Sequence, residues 1–515
     1  MEHRFDFRDL IVLDLANYHQ GSVEHGRKII AAMGENARRH GVRGVLKFQF
    51  RHLDTFIHPA YRDNTEHKHI QRFRSTRLSR EEHAELLAEV RKQSMLAMCT
   101  PFDEESAQQV LDMGFDIVKV ASCSARDWPL VEKVAQLGLP TVVSTGGLTL
   151  AQIDDLNSFL EHRGVDFAMM HCVAIYPSPD ETLNLNQIEM MRRRYRGRCI
   201  GWSTHEHPDN LAAVTVAVAK GATLLERHVG MNAEGIKLNA YSSTPEQVDR
   251  WMAAYKTAKA MCGSFERPPS SEVEQESLQS LERGVYVNRA VKGKTLLNRQ
   301  AVFFAMPRLP GQLTSGAWRD GTVVKDHIQA GDALMLDNVE APTQPASAAI
   351  HKTVHEVKAL LNEANVRLNS EFEVEYSHHY SMDRFREVGA VIINCFNRNY
   401  CKKIIVQLAG QSHPSHFHRR KEETFQVLHG IVEMELDDRR KTLHPGDTCL
   451  IQPGVWHSFW TDTGAVFEEV STRHYNNDSF YRDKSINAMP REQRKTVVDN
   501  WGRWQVLDKA GGLQW

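Results

Sequence analysis

Short apolar runs alternate with amphipathic stretches from residue 9 to about residue 262. The runs are Leu10 to Leu15, Gly44 to Phe50, Met95 to Cys99, Ile117 to Ala121, Thr141 to Ser144, Phe167 to Cys172, Cys199 to Trp202 and Thr223 to Glu226. Each is four to seven residues long and apolar on both alternating faces, as expected of parallel strands covered on both sides. Between them lie stretches with helical spacing: Glu24 to Arg39, Arg80 to Lys92, Trp128 to Leu137, Pro208 to Lys220 and Pro245 to Met261. Eight βα units in some 260 residues predict a (β/α)8 TIM barrel over 1–262. No GxGxxG follows the first run, which argues against a dinucleotide-binding open sheet.

The pattern then changes. The polar stretch from Gly263 through Pro268, Pro269 and Ser271 reads as a linker over 263–282, and a glycine-punctuated β-like region follows over 283–340. Ala341-Pro342-Thr343-Gln344-Pro345 opens a second linker, 341–353, and a helix is expected over Val354 to Leu368. After it, strand-like runs continue to about residue 475, so 354–515 is expected to be a β-rich domain.

That last domain carries the sharpest chemical signal. Gly410, His416, His418, Glu423 and Gly430 are followed by Pro445-Gly446-Asp447 and by Gln452-Pro453-Gly454-Val455-Trp456-His457. Two histidines at alternate strand positions point the same way, so both imidazoles reach one ion. With Glu423 and His457 they form an N3O set that suits Mn, Fe, Ni or Zn. The spacing resembles the two cupin motifs, with Gln452 where a first proline is common.

In the barrel, Asp14, Lys47, Gln49, Thr100, Lys119, Ser122, Ser144, Ser203, His205, Glu226 and His228 fall where strands end, the face on which such barrels place their chemistry. Two lysines with several hydroxyls suit a phosphate or carboxylate. His205 and His228, on adjacent strands, are placed to share a divalent metal.

Composition narrows the partners. The 515 residues carry a formal charge of −2 with mixed signs, which gives no support for nucleic acid or a membrane surface. The basic run Arg192 to Arg198 reads as a solvated helix end. Eight cysteines without a CxxC pair suit reduced thiols, and the N-terminal residues lack an apolar signal core, so a cytoplasmic location is expected.

Several segments carry a family resemblance. Val45-Leu-Lys47-Phe-Gln49, Thr100-Pro-Phe-Asp103, Lys119-Val-Ala-Ser122, Ser144-Thr-Gly-Gly147, His171 to Pro177, Gly201-Trp-Ser203-Thr-His205 and Gly221 to His228 resemble the sialic acid synthase family, NeuB type. Arg283 to Leu334 resembles the antifreeze-like SAF domain that follows such barrels. The resemblance implies condensation of phosphoenolpyruvate with an aldose, giving a 3-deoxy-ulosonic acid and phosphate, as in an N-acetylneuraminate synthase. It places Lys47, Thr100, Lys119, Ser122, Ser144 and Ser203 on phosphoenolpyruvate, and Gln49, Tyr176 and Arg308 on the sugar. Asp14, His205 and His228 become catalytic, with Mn2+ or Mg2+ on the two histidines. It also implies a domain-swapped homodimer.

The departures from the family gather on the acceptor side. Asp14 replaces a glutamate, Tyr18-His19 an Asn-His pair, Ser124 a glutamate, Ala174 an asparagine and Thr204 an aspartate; Gly235 to Ser242 has lost its motif, and Arg308-Leu-Pro-Gly311 replaces Arg-Pro-Gly. An atypical acceptor is expected.

Phe385 to Asn394, Tyr400-Cys-Lys-Lys403 and Ser471 to Tyr481 resemble cupins of the D-lyxose isomerase type. That resemblance leaves two alternatives to the synthase: a cupin-based sugar isomerase or epimerase with the barrel as scaffold, and a noncatalytic sugar-binding protein.

Overall fold

A computed structural model describes residues 4–62, 66–265, 267–342, 346–369 and 371–498. They form two compact units, 1–269 and 270–515.

In the first unit eight parallel strands close into a barrel: β1 (Leu10–Asp14), β2 (Arg43–Phe50), β3 (Leu96–Pro101), β4 (Ile117–Val120), β5 (Thr141–Ser144), β6 (Phe167–Cys172), β7 (Ile200–Thr204) and β8 (Leu224–His228). Closure is set by β1, in which Leu10 pairs with Arg43 of β2 on one side and with Leu224 of β8 on the other. Side chains two apart share a face. Leu10, Val12, Val45, Met98, Ile117, Val142, Ala168, Met170 and Leu224 therefore fill the barrel interior. Ile11, Leu13, Leu46, Val118, Val143, Met169 and Leu225 pack outward under the helices. Gly201 sits on the inward set of β7, and a Cβ there would lie 2.4 Å from the Leu224 carbonyl, so glycine lets β7 and β8 approach.

The helices start where local chemistry dictates. Ser79 with Glu82, Thr149 with Gln152 and Thr244 with Gln247 form capping boxes at the heads of Arg80–Lys92, Leu150–His162 and Pro245–Cys262. The basic run ends the helix Asn186–Arg194 as expected, with Arg192, Arg193, Arg194 and Arg196 exposed. Arg193 pairs with Glu189, Arg194 with Asp154, Arg198 with Glu161, and Arg192 packs against Gly221.

The second unit begins with a helix, Glu272–Leu281, inside the stretch expected to be only linker. Its cap, Ser271, accepts from the Glu274 N–H, so the serine that looked like linker composition is a helix start. A small β region follows over 284–340, packed around Val285, Val287, Trp318 and Leu334. The second expected linker lies partly outside the described residues, at 343–345. The helix after it spans Ala346–Glu363, earlier than the expected 354–368. The C-terminal strands form a seven-stranded and a five-stranded antiparallel sheet, with Phe425, Val427, Phe459 and Phe467 in one core. The expected cupin extends to 515, of which 499–515 lie outside the described residues.

All eight cysteines are free; Cys99, Cys172, Cys401 and Cys449 are buried, whereas Cys123 and Cys262 are exposed. Among the described residues no helix is long and apolar enough to cross a membrane.

Candidate functional site

The inward parity of the barrel strands continues to their C-terminal ends, where it changes from apolar to polar. Asp14 follows Leu10 and Val12; Lys47 and Gln49 follow Val45; Thr100 follows Met98; Lys119 follows Ile117; Ser144 follows Val142; Glu226 and His228 follow Leu224. Adjacent strands then place Asp14 beside both Lys47 and His228, and Ser203 beside Glu226.

The result is a buried charge network. Lys47 Nζ lies 2.9 Å from Asp14 Oδ2 and 2.8 Å from Glu226 Oε1. Lys119 also pairs with Glu226, and Ser203 Oγ donates to Glu226 Oε1 at 3.1 Å. Burial disfavours the charge on Lys47, yet Asp14 and Glu226 outweigh it and raise its pKa. Lys119 has one carboxylate and a like-charged neighbour, and its pKa is lowered, first by burial. Burial also opposes charge on Glu226, but the two lysines hold it well below the ordinary carboxylate range. Glu226 is thus the hub of the network, a role its strand-end position alone did not reveal.

Beside these ions, Thr100 Oγ1 and Ser144 Oγ are buried without a hydrogen-bond partner among the described residues. Buried hydroxyls are normally paired, so two orphans on the same inward set of strand ends as the two lysines mark a place for an external acceptor. Ser122 Oγ instead accepts from the Gly146 N–H at 3.0 Å. A Cβ on Gly146 would lie 2.8 Å from that oxygen, which explains the glycine.

At the rim, the rings of His205 and His228 are 5.4 Å apart. His205 Nδ1 faces the Val173 carbonyl at 2.9 Å, which assigns the proton there and leaves Nε2 as a lone pair. Burial, then His228, holds the His205 pKa at about 3, so the ring is neutral as a metal ligand must be. His228 Nδ1 lies 3.3 Å from Asp14 Oδ2, and Gln49 Nε2 donates to that same oxygen at 3.3 Å. The half-exposed Tyr176 ring stands 4.3 Å from His205 and 5.1 Å from Tyr241, which in turn stands 5.3 Å from His228. Tyr241 belongs to the segment whose motif is lost, so no sequence signal pointed to it.

Gln49 also lines a cleft with Asn17, His19, Arg51, Thr76 and His83. Arg51 is held over Phe102 at 3.6 Å and Phe73 at 4.1 Å, and burial lowers its pKa to about 10. The remaining sugar candidate, Arg308, lies in the other unit, with Nε 3.1 Å from Glu282.

The C-terminal domain builds its site from three strands, Ser412–His418, Glu423–Gly430 and His457–Trp460. His416, His418, Glu423 and His457 are all buried, with candidate ligand atoms within 4.8 Å of one another. Every histidine turns Nδ1 to a backbone carbonyl: His416 to Pro414 at 3.0 Å, His418 to Asp478 at 2.8 Å, His457 to Val455 at 3.1 Å. These contacts place the protons on Nδ1 and the lone pairs on Nε2. His457 Nε2 then faces Glu423 Oε1 at 2.9 Å, and neither atom has a hydrogen-bond partner. Two lone pairs that close repel each other unless a cation lies between them, so the residues fit a divalent ion. Asp478 fixes the loop between the ligands. Its carboxylate accepts the N–H groups of Arg419, Arg420 and Lys421, each at 3.1 Å. No metal motif in the sequence pointed to it.

Comparison with known proteins agrees with this division. The NeuB family model matches residues 34–267 and the Cupin domain model residues 404–470. A solved protein of Chromobacterium violaceum, named for spore coat polysaccharide biosynthesis protein E, is 42% identical; the match covers 65% of this chain and all of that one, with a TM-score of 0.62. An uncharacterized protein of Methanocaldococcus jannaschii is 28% identical over 56% of this chain and 82% of its own length. The N-acetylneuraminate-9-phosphate synthase of Drosophila melanogaster is 29% identical over 42% of this chain, which spans 59% of that relative. Because a relative 42% identical is covered from end to end and the family model matches most of the barrel, the chain belongs to the NeuB family and carries a cupin domain beyond it.

Proposed function

We propose that the barrel condenses phosphoenolpyruvate with an aldose to give a 3-deoxy-ulosonic acid and inorganic phosphate. The observation that carries this reading is the buried Lys47, Lys119, Glu226 and Asp14 network beside the unpaired hydroxyls of Thr100 and Ser144. A dianionic phosphate with a carboxylate suits two buried ammonium groups and short hydroxyl donors. Similarity to N-acetylneuraminate-9-phosphate, N,N'-diacetyllegionaminic acid and pseudaminic acid synthases supports the reaction class.

In the reaction a new bond forms between C3 of the enol and C1 of the aldehyde, and the aldehyde oxygen gains a proton. Water adds at C2, and the C2–O bond to phosphate breaks. Lys47, Thr100, Lys119, Ser122, Ser144 and Ser203 hold phosphate and carboxylate in place. Asp14, fixed by Lys47 and Gln49, lies 3.3 Å from His228 and is placed to hold a proton or hydroxyl of the acceptor. Mn2+ or Mg2+ on His205 and His228 would supply Lewis-acid polarisation of the aldehyde. Tyr176, Tyr241 and Gln49 border the acceptor. The resemblance of the small domain adds a domain-swapped homodimer in which Arg308 reaches the partner's acceptor.

The test is phosphate release from phosphoenolpyruvate with Mn2+ across free and phosphorylated aldoses. Release that depends on one sugar supports the synthase and names its acceptor. Silence across the panel, with aldose–ketose exchange intact, would favour the cupin as the active domain; its four-ligand cluster keeps that second reading standing.

A further inference from the structure

Arg51 carries a charge at the barrel mouth that the proposed condensation leaves unused. Strand parity makes it the next inward residue after Lys47 and Gln49, just past the end of β2, and it lines a cleft of about 580 Å³. Its guanidinium lies over the Phe102 ring, which follows β3, and over the Phe73 ring, which the helix Lys68–Ser75 brings to it. A planar guanidinium over aromatic rings directs its N–H groups outward, along its own plane.

Little meets those donors. Nε is buried without a hydrogen-bond partner, and the terminal nitrogens reach Gln49 Oε1 at only 3.5 and 3.4 Å. Asp14 and Asp103 attract the charge from a distance, but both are committed elsewhere: Asp14 to Lys47, and Asp103 to the Ser106 and His52 N–H groups. The carboxylates that line the cleft are also engaged, Glu105 with His52 and Thr55, and Asp112 with Gln108. The buried lysines differ. Lys47 and Lys119 rest on Glu226, and in the cupin Lys403 and Lys421 rest on Glu469.

A half-buried guanidinium with five N–H donors and no carboxylate against it is stabilised by a bound anion. We propose that Arg51 holds a negatively charged substituent of the acceptor sugar, a phosphate monoester or a carboxylate, at the end remote from the aldehyde. Position fixes which end. Asp14 and Lys47 are register partners, and Arg51 stands four residues beyond Lys47, about 13 Å at strand rise. Gln49 lies between, accepting from Arg51 and donating to Asp14, so one line of contacts runs along the acceptor from its reacting end to its charged end. Phosphate and carboxylate both match the paired N–H groups of a guanidinium. That the anion belongs to the acceptor rests on the barrel reading; that Arg51 takes an anion does not.

The experiment measures phosphate release from phosphoenolpyruvate with paired acceptors: N-acetylmannosamine and its 6-phosphate, mannose and its 6-phosphate, and mannose and mannuronate. A charged member should exceed its neutral counterpart at least about tenfold in kcat/KM, as one charge-assisted hydrogen bond allows. The phosphate and uronate arms tell which anion is taken. Arg51→Met should remove the preference through the acceptor KM and not through that of phosphoenolpyruvate, and Arg51→Lys should restore part of it. If the Met variant misfolds, Arg51→Gln decides by the same criteria. A second readout needs no turnover: calorimetry of D-mannitol 6-phosphate against D-mannitol, with phosphoenolpyruvate saturating. The phosphate should bind about tenfold tighter, and Arg51→Met should erase the difference. Turnover with no charged acceptor favoured overturns the proposal. So does a preference that survives Arg51→Met, or a loss that falls on the KM for phosphoenolpyruvate. If no aldose releases phosphate while D-mannitol 6-phosphate keeps an Arg51-dependent advantage, the barrel reading falls and the anion site stands; equal binding of the two alditols without turnover removes both.

Discussion

The barrel mouth and the cupin interior are built from the same side chains and solve opposite problems. Each buries lysines on glutamates beside histidines. In the barrel the lysines hold the carboxylates, and the hydroxyls of Thr100 and Ser144, which can donate, are unpaired along with Glu226 Oε2. In the cupin the unpaired pair is a carboxylate oxygen and an imidazole lone pair, both acceptors. Free hydroxyls can donate to an anion, whereas a carboxylate oxygen facing an imidazole lone pair calls for a cation. The comparison teaches that the sign of what a polar cavity lacks says more about its ligand than the residue types around it.

The largest effect should come from Lys119. Lys119→Met leaves Glu226 with one lysine partner and removes a charge from the proposed phosphoenolpyruvate site. Phosphate release should fall about 10³-fold in kcat/KM, roughly 4 kcal/mol of transition-state binding. Circular dichroism and a denaturant midpoint would separate this from unfolding, and a variant with near-native turnover would end the anion assignment.

Breaking the other site should leave that turnover alone. His416→Ala with His418→Ala should remove one metal equivalent per chain, read by elemental analysis, while phosphate release changes by less than about threefold. A large fall in phosphate release would mean that the two sites are not chemically separate.

Acidification should test one buried imidazole of the barrel, His19. Burial, then His83, holds His19 at about 3, against an ordinary value near 6.5. The folded state therefore binds fewer protons than the unfolded chain between those values, and stability falls as pH drops from 6.5 toward 3. At pH 5 the loss from His19 should be on the order of 2 kcal/mol, checked by urea midpoints at pH 7 and pH 5. In His19→Gln the midpoint should depend less on pH over this range.

Smaller changes are expected on the acceptor side. Tyr241→Ala should raise the acceptor KM about tenfold with kcat little changed, because the ring borders the site without joining the ion network. Asp14→Glu should shift preference within a sugar panel, and an unchanged profile would detach Asp14 from acceptor choice.

Much of the barrel was legible because its signals are local. Apolar runs and helical spacing located all eight strands, and Arg80–Lys92 was bounded at both ends by residues that cap it. Glu272–Leu281 was not legible. Its polar, serine-flanked sequence matches a linker in composition, and only the Ser271 cap distinguishes it. The basic run 192–198 read correctly as an exposed helix end, but its partners Asp154 and Glu161 lie some 40 residues away and were not legible.

For the sites, sequence determined which side chains face inward, because strand parity is fixed residue by residue. His416 with His418, and Lys47 with Gln49, follow from that alone. Tertiary structure decided which inward residues meet. Glu226 became the partner of two lysines and a serine from three other strands only when β1 closed against β8, and Lys403 joined Glu469 through sheet register. Parity is a property of one strand; pairing depends on register between strands distant in sequence, which no local pattern encodes.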